Sequence, residues 1–243
     1  MTTLVLLHGW GMTPAVFDEI GARLRGVCDV HALPLPGYCG TPSVSPYTVQ
    51  GIAQSIAARA SARCVVAGWS LGGQVALEWA RQAPAQVEAL VLIGSTPSFV
   101  AREGWPHAVE PRVLQGFADA MAANRGSTLN RFASLQAQGD AAMKAAALRL
   151  RAALCDESDA STQTLCDGLN VLLDTDLRAT PGQIEQQALV IHGEHDRLVP
   201  FAAGEHLART LKRGTLAKIA GAAHAPFATQ PDAVVRALEA FLA

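Results

Sequence analysis

The sequence predicts an α/β fold: a parallel sheet of about six strands, covered by helices on both faces, with a helical insertion between two of the strands. Three observations carry this reading. Short, continuously apolar runs rich in Val, Leu and Ile recur along the chain, which is how strands buried on both faces read. Helix-period stretches follow several of them, the rhythm of a parallel sheet. The alternation then stops between about residues 95 and 187, where β-rich sequence is scarce and alanine frequent. An interval that long between two sheet strands is not an ordinary loop.

Strands are expected at residues 3–7, 27–32, 64–67, 87–93, 188–192 and 215–219. Helices are expected at 14–24, 48–59, 71–81, 201–210 and 231–242, and in the insertion at 112–123, 129–136 and 141–154. Residues 1–94 and 188–243 then make one sheet-based core. Residues 95–187 form a lid above the strand ends.

Composition excludes several classes. Half of the 243 residues are hydrophobic and 16% are charged, which rules out global disorder and allows a large core. Lys plus Arg is 19 against 21 for Asp plus Glu, so the balance makes no case for nucleic acid or an anionic membrane as partner. Apolar runs such as 4–7 and 188–191 are far too short to span a bilayer. No basic segment followed by an apolar one opens the chain, which reads as cytoplasmic. The five cysteines are an odd count without zinc-type spacing and read as reduced thiols.

Gly68-Trp69-Ser70-Leu71-Gly72-Gly73 stands directly after an expected strand and directly before an expected helix. A G-x-S-x-G in that context is a nucleophile elbow, a tight turn that projects the serine and leaves small residues where helix and strand approach. A serine hydroxyl needs a base, usually a histidine oriented by a carboxylate, and on this architecture the chain order is Ser, acid, His. Among seven histidines, His224 sits in a loop of small residues after the last strand. His192 and His195 as base would leave no strand-end acid between them and Ser70, and His31, His107 and His206 lack such a setting. Asp196 follows the fifth strand and lies deeper in its turn than Glu194, which spacing alone leaves open; Asp174 and Asp176 fall within the insertion. His8-Gly9-Trp10-Gly11 after the first strand offers the Trp10 N–H beside that of Leu71 as an oxyanion-binding pair, with His8 holding the loop. No H-E-x-x-H or clustered Cys/His spacing suggests a metal, and serine chemistry needs no cofactor.

These residues resemble the α/β-hydrolase superfamily across nearly the whole chain. Within it, residues 4–11, 68–73, 131–136, 175–178 and 222–227 resemble the pimeloyl-acyl-carrier-protein methyl ester esterases of biotin synthesis. The resemblance implies catalytic roles for Ser70, Asp196 and His224, and oxyanion roles for Trp10 and Leu71. It also implies acyl-chain contacts at Phe132, Ala133, Ser134, Leu135 and Gln136, and an acidic acyl-carrier protein as partner of basic lid residues. Arg131 matches such a basic position and Lys144 matches approximately; Leu148 stands near a lost one, with Arg149 or Arg151 in its place. Family members usually carry one or two strands ahead of the His-Gly loop, whereas here that strand begins at Thr3, so the sheet is expected to be shorter at one edge.

The charge pattern points the same way. Residues 112–151 hold six basic residues (Arg112, Arg125, Arg131, Lys144, Arg149, Arg151) against Asp119 and Asp140, a local net of +4 in a chain whose net is -2. Arg125, Arg131, Lys144, Arg149 and Arg151 are therefore the candidate carrier-docking residues. The expected function is a monomeric serine carboxylesterase. Other readings are a hydrolase of small esters or carbon–carbon bonds on the same scaffold, or a non-catalytic binding module, which would have no need of all three triad residues. A dehydrogenase is disfavoured because no G-x-G-x-x-G follows the first strand.

Overall fold

The computed structural model describes residues 1–243. Six strands form one wholly parallel sheet: β1 (Thr3–Leu7), β2 (Asp29–Leu33), β3 (Cys64–Trp69), β4 (Val87–Ile93), β5 (Gln187–Gly193) and β6 (Gly214–Ile219), in spatial order β2-β1-β3-β4-β5-β6. Successive side chains of a strand leave on opposite faces. Val5 and Leu7 accordingly join the core with Ile52, Val75 and Leu207, while Leu4 and Leu6 join the opposite one with Ile20, Leu24, Val234 and Leu238. The first group comes from α2 (Val49–Arg59), α3 (Leu71–Gln82) and α8 (Phe201–Thr210), the second from α1 (Asp18–Leu24) and α10 (Pro231–Leu242). Both faces of the sheet are thus covered at its centre, which explains the apolar runs of β1, β3, β4 and β5, while the edge strands β2 and β6 stay partly exposed and carry polar residues.

Chain direction across the sheet reverses between β1 and β3, so the loops leaving these neighbours diverge and open a crevice at their carboxyl ends. Residues 8–11 and the turn at Ser70 both lie there. Between β4 and β5 run four helices: α4 (Pro111–Ala123), α5 (Arg125–Gln136), α6 (Met143–Ala152) and α7 (Thr162–Asp174). A short helix α9 (Pro226–Thr229) follows β6 and precedes α10.

Some boundaries depart from expectation. The helix expected at 14–24 divides into a 3-10 turn (Pro14–Phe17) and α1, because Phe17 at the junction adopts φ -101° and ψ 2°. The second strand begins two residues late, since the Val27 and Cys28 N–H groups still bond back to Leu24 O at the end of α1. α5 begins at Arg125 because the Asn124 side chain accepts the Ser127 N–H as an N-cap. The helix expected at 141–154 is trimmed to α6, and α7 was not expected at all. No helix is long and apolar enough to cross a membrane.

Candidate active site

Ser70 is the single residue between β3 and α3. Its φ of 59° with ψ -120° is a conformation that costs a non-glycine residue about 1–3 kcal/mol. Neighbours hold it there: the Ser70 N–H donates to Ile93 O (3.0 Å) and the Ser95 hydroxyl donates to Ser70 O (3.0 Å). The flanking glycines are forced by contact. A Cβ on Gly68 would lie 2.1 Å from Gly72 O, and one on Gly72 would lie 2.2 Å from Leu7 O.

His224 sits in the loop after β6, its carbonyl accepting Trp69 Nε1–H (2.9 Å) and its N–H donating to Gln136 O (3.3 Å). Its ring spans the gap between the other two residues. Nε2 is 3.0 Å from Ser70 Oγ and Nδ1 is 2.8 Å from Asp196 Oδ2. The other Asp196 oxygen accepts the N–H groups of Leu198 and Val199, each at 2.9 Å. An ionised carboxylate only accepts, so Nδ1 carries the proton and the Nε2 lone pair faces the Ser70 hydroxyl.

Burial alone would raise the Asp196 pKa. The charge and hydrogen bonding of His224, with His192 behind it, outweigh burial and hold the carboxyl below its usual range. The side chains of Asp196 and His224 are fully buried and Ser70 is 4% exposed. Water is largely excluded, so electrostatic interactions inside the site are strong.

Glu194, the other acid left open by spacing, faces away from His224. It pairs with Lys218 (3.0 Å) and accepts the Gly221 N–H (3.3 Å). His8 is locked into the crevice wall: its Nε2 accepts the Leu35 N–H (3.0 Å) and its Nδ1–H donates to Gly9 O (2.9 Å). Complete burial lowers its pKa to about 4, against the partial opposing effect of the Gly9 bond, so it stays neutral near pH 7. Leu71 is the first residue of α3, where an N–H has no intrahelical acceptor. No protein group accepts the Trp10 N–H, while its indole Nε1–H donates to Leu165 O (2.7 Å).

This architecture has relatives. The sequence profile described as the alpha/beta hydrolase family matches residues 4–237. The chain belongs to the alpha/beta hydrolase family. It is 40% identical to a pimeloyl-[acyl-carrier protein] methyl ester esterase of Aromatoleum aromaticum, covering 94% of this chain and 93% of that one. It is 36% identical to the protein of the same name from Nitrosomonas europaea, over 98% and 94%. Among solved structures, an esterase from Exiguobacterium antarcticum superposes with a TM-score of 0.87 at 21% identity, covering 100% of this chain and 92% of that one. A hydrolase from Oleispira antarctica gives 0.87 at 17%, over 100% and 91%. The structural matches speak to fold alone. With named esterases this close in sequence, this α/β-hydrolase is a carboxylic ester hydrolase.

The helices between β4 and β5 bring α5 against the hydrolase crevice. Phe132 is buried, its ring edge-on to Trp10 (centroids 4.7 Å) and to Phe117 (5.4 Å). Ala133 and Gln136 are buried, Ser134 and Leu135 half-buried. The five candidate docking cations separate into two groups. Arg125 is turned inward, donating to Ala160 O (2.6 Å) and Asp156 O (2.5 Å), and Arg149 bridges Glu19 (2.6 Å) and Ala228 O (2.8 Å). Arg131 lies over the Phe117 ring (5.1 Å), Arg151 donates to Ser134 Oγ (2.8 Å), and Lys144 is exposed and forms no ion pair.

Several site residues escaped the sequence reading. Tyr38 stacks edge-on against His8 (4.9 Å) and its hydroxyl accepts the Gly11 N–H (3.4 Å). Ser95 steadies the elbow, and the α7 carbonyl of Leu165 orients Trp10. Only α7 had a usable signal, Ser161 as N-cap ahead of Leu165, Leu169 and Leu172 at helical spacing.

Proposed function

We propose that this esterase hydrolyses the methyl ester of a pimeloyl chain carried on an acyl-carrier protein, as the names of its relatives state for them. The carrying observation is the Ser70–His224–Asp196 hydrogen-bonded chain, found in a sequence matching those relatives almost end to end. Ser70 Oγ attacks the ester carbonyl while His224 Nε2 takes its proton. Negative charge developing on the carbonyl oxygen is met by the Trp10 and Leu71 N–H groups. His224 returns the proton to the departing methoxide, which leaves as methanol, and Asp196 stabilises the transient imidazolium. Water activated by His224 then cleaves the acyl-serine, releasing the ω-carboxylate and regenerating Ser70.

In this reading Phe132, Ala133, Ser134, Leu135 and Gln136 contact the acyl chain, and residues 95–187 act as the lid over it. Arg131, Lys144 and Arg151 face the acidic carrier, while Arg125 and Arg149, spent on internal bonds, brace the lid. The triad and both donors come from one chain, so a monomer suffices, and the cytosol is its proposed place of action. The test is turnover of carrier-bound pimeloyl methyl ester against the free methyl ester and short p-nitrophenyl esters. A clear kcat/KM preference for the carrier-bound form is expected, with Ser70→Ala inactive on all three. Equal values would remove the carrier from the proposal and leave the esterase chemistry.

A further inference from the structure

The turn between α5 and α6 makes an unusual set of bonds for a surface connection. Asp140 is buried and both its carboxylate oxygens are engaged: Oδ1 accepts the Ala142 N–H (2.7 Å), and Oδ2 accepts both the Ala223 N–H (3.1 Å) and the Thr229 hydroxyl (2.7 Å). Ala223 adjoins His224, and Thr229 ends the short helix α9 that follows it. Two backbone bonds run parallel to these, from Ala141 N–H to Gly221 O (2.8 Å) and from His224 N–H to Gln136 O (3.3 Å). The same turn reaches the loop that carries the acid. Gly139 has φ +99°, and a Cβ there would sit 2.5 Å from His195 O, one residue before Asp196.

We propose that Asp140 is a positioning residue, and that the turn it organises fixes the His224 loop and the Asp196 loop relative to each other. The proposal rests on the reading of Ser70, His224 and Asp196 as the triad. Apart from the His224 ring itself, a loop of Ala-Ala-His-Ala has no polar side chain to meet its backbone donors, and those of Ala223 and His224 are met by Asp140 and Gln136 O. A buried carboxylate accepting three bonds is a stronger anchor than neutral acceptors would be. Because α5 also carries Phe132 through Gln136, the helix beside the crevice and the catalytic base share one rigid support.

The test compares wild type with Asp140→Ala, Asp140→Asn, Thr229→Val and Gly139→Ala. The first readout is the rate at which a fluorophosphonate phosphonylates Ser70. There the Oγ–P bond forms, fluoride leaves and His224 takes the serine proton, so no carrier or acyl chain is involved. The others are kcat and KM on a p-nitrophenyl ester, the downfield proton NMR signal of His224 Nδ1–H, and the folded fraction by circular dichroism. Asp140→Ala is expected to be labelled roughly ten- to a hundredfold more slowly, the scale of a small misplacement of a reacting group. Its kcat should fall in parallel with little change in KM, and the downfield signal should weaken. Asp140→Asn, which keeps one acceptor oxygen, should lose less, and Thr229→Val least. Gly139→Ala should reproduce the defect from the Asp196 side.

Labelling at the wild-type rate in folded Asp140→Ala would overturn the proposal, as would losses that vanish once rates are scaled to the folded fraction. Should Asp140→Ala not fold, unchanged labelling in Asp140→Asn and Thr229→Val overturns it equally. Wild-type protein left unlabelled at Ser70 would instead overturn the triad reading beneath it.

Discussion

The strand-end loops and the helices between β4 and β5 reach the same crevice by different means. Ser70, His8 and Trp10 are placed by the backbone of adjacent parallel strands, and glycine contacts leave that geometry almost no freedom. α5 and α6, besides their apolar packing and two backbone bonds, are tied by side chains: Asp140 on the His224 loop, Arg149 on α1 and α9, Arg125 on the segment before α7. A sheet fixes atoms through a repeating pattern that composition must respect. The helical region adds to its apolar packing a few single polar ties that no repeating pattern announces.

The largest effect expected from the strand-end group is at the acid. Asp196→Asn should lower kcat by up to about 10⁴, because the amide can no longer hold the proton on Nδ1 or stabilise the imidazolium. Glu194→Gln should change kcat little, since that carboxylate serves Lys218 and Gly221 on the far side of its turn. Steady-state kinetics on any ester that the wild type turns over decides this. A ranking with Glu194→Gln the worse would mean that strand-end geometry does not govern the chemistry.

The contrast also explains what could be read in advance. Strand positions were legible because β3, and β4 and β5 past their first residues, are buried on both faces and so read as apolar runs. The elbow was legible because no residue other than glycine fits at 68 and 72. Asp140 was not, since Gly-Asp between helices has the composition of any exposed turn and nothing local reveals three distant donors. Arg125 and Arg149 carry the charge of docking residues, and only the structure shows that their guanidinium groups also hold internal partners. Boundary errors arose in the same way, where a cap such as Asn124 lies outside the apolar pattern.

Stability gives a second probe of the strand-end group. His8 is buried with both ring nitrogens engaged, and its pKa falls from 6.5 to about 4. Below pH 6.5 the unfolded chain takes up a proton there that the folded protein refuses until about pH 4. Stability from this residue is therefore intact above pH 6.5 and declines as pH falls to about 4, by about 3 kcal/mol over the interval. Denaturant melts of wild type between pH 7 and 4 should show that loss, and His8→Gln, less stable at pH 7, should show a shallower pH dependence. Equal slopes would place the acid sensitivity in another group.

The smallest expected effect concerns the helical region and its charge. Reversing Arg131, Lys144 and Arg151 together to Glu removes the three proposed carrier-facing cations, none of which forms an ion pair. Electrostatic steering changes encounter rates by about tenfold or more, so kcat/KM for a carrier-bound ester should fall by about that factor. A p-nitrophenyl ester, which needs no docking, should be affected far less. Added salt should narrow the difference between wild type and variant, because exposed charges are screened beyond about 8 Å at physiological ionic strength. Arg149→Met is the informative counterpart. It breaks the ties to Glu19 and Ala228 O without addressing the carrier, and so should depress both substrates alike together with the melting temperature. Were the triple reversal to behave like Arg149→Met, with equal losses and no salt effect, all these cations would be braces. The helical region would then be held by polar ties throughout, and the carrier would have to be recognised by another face.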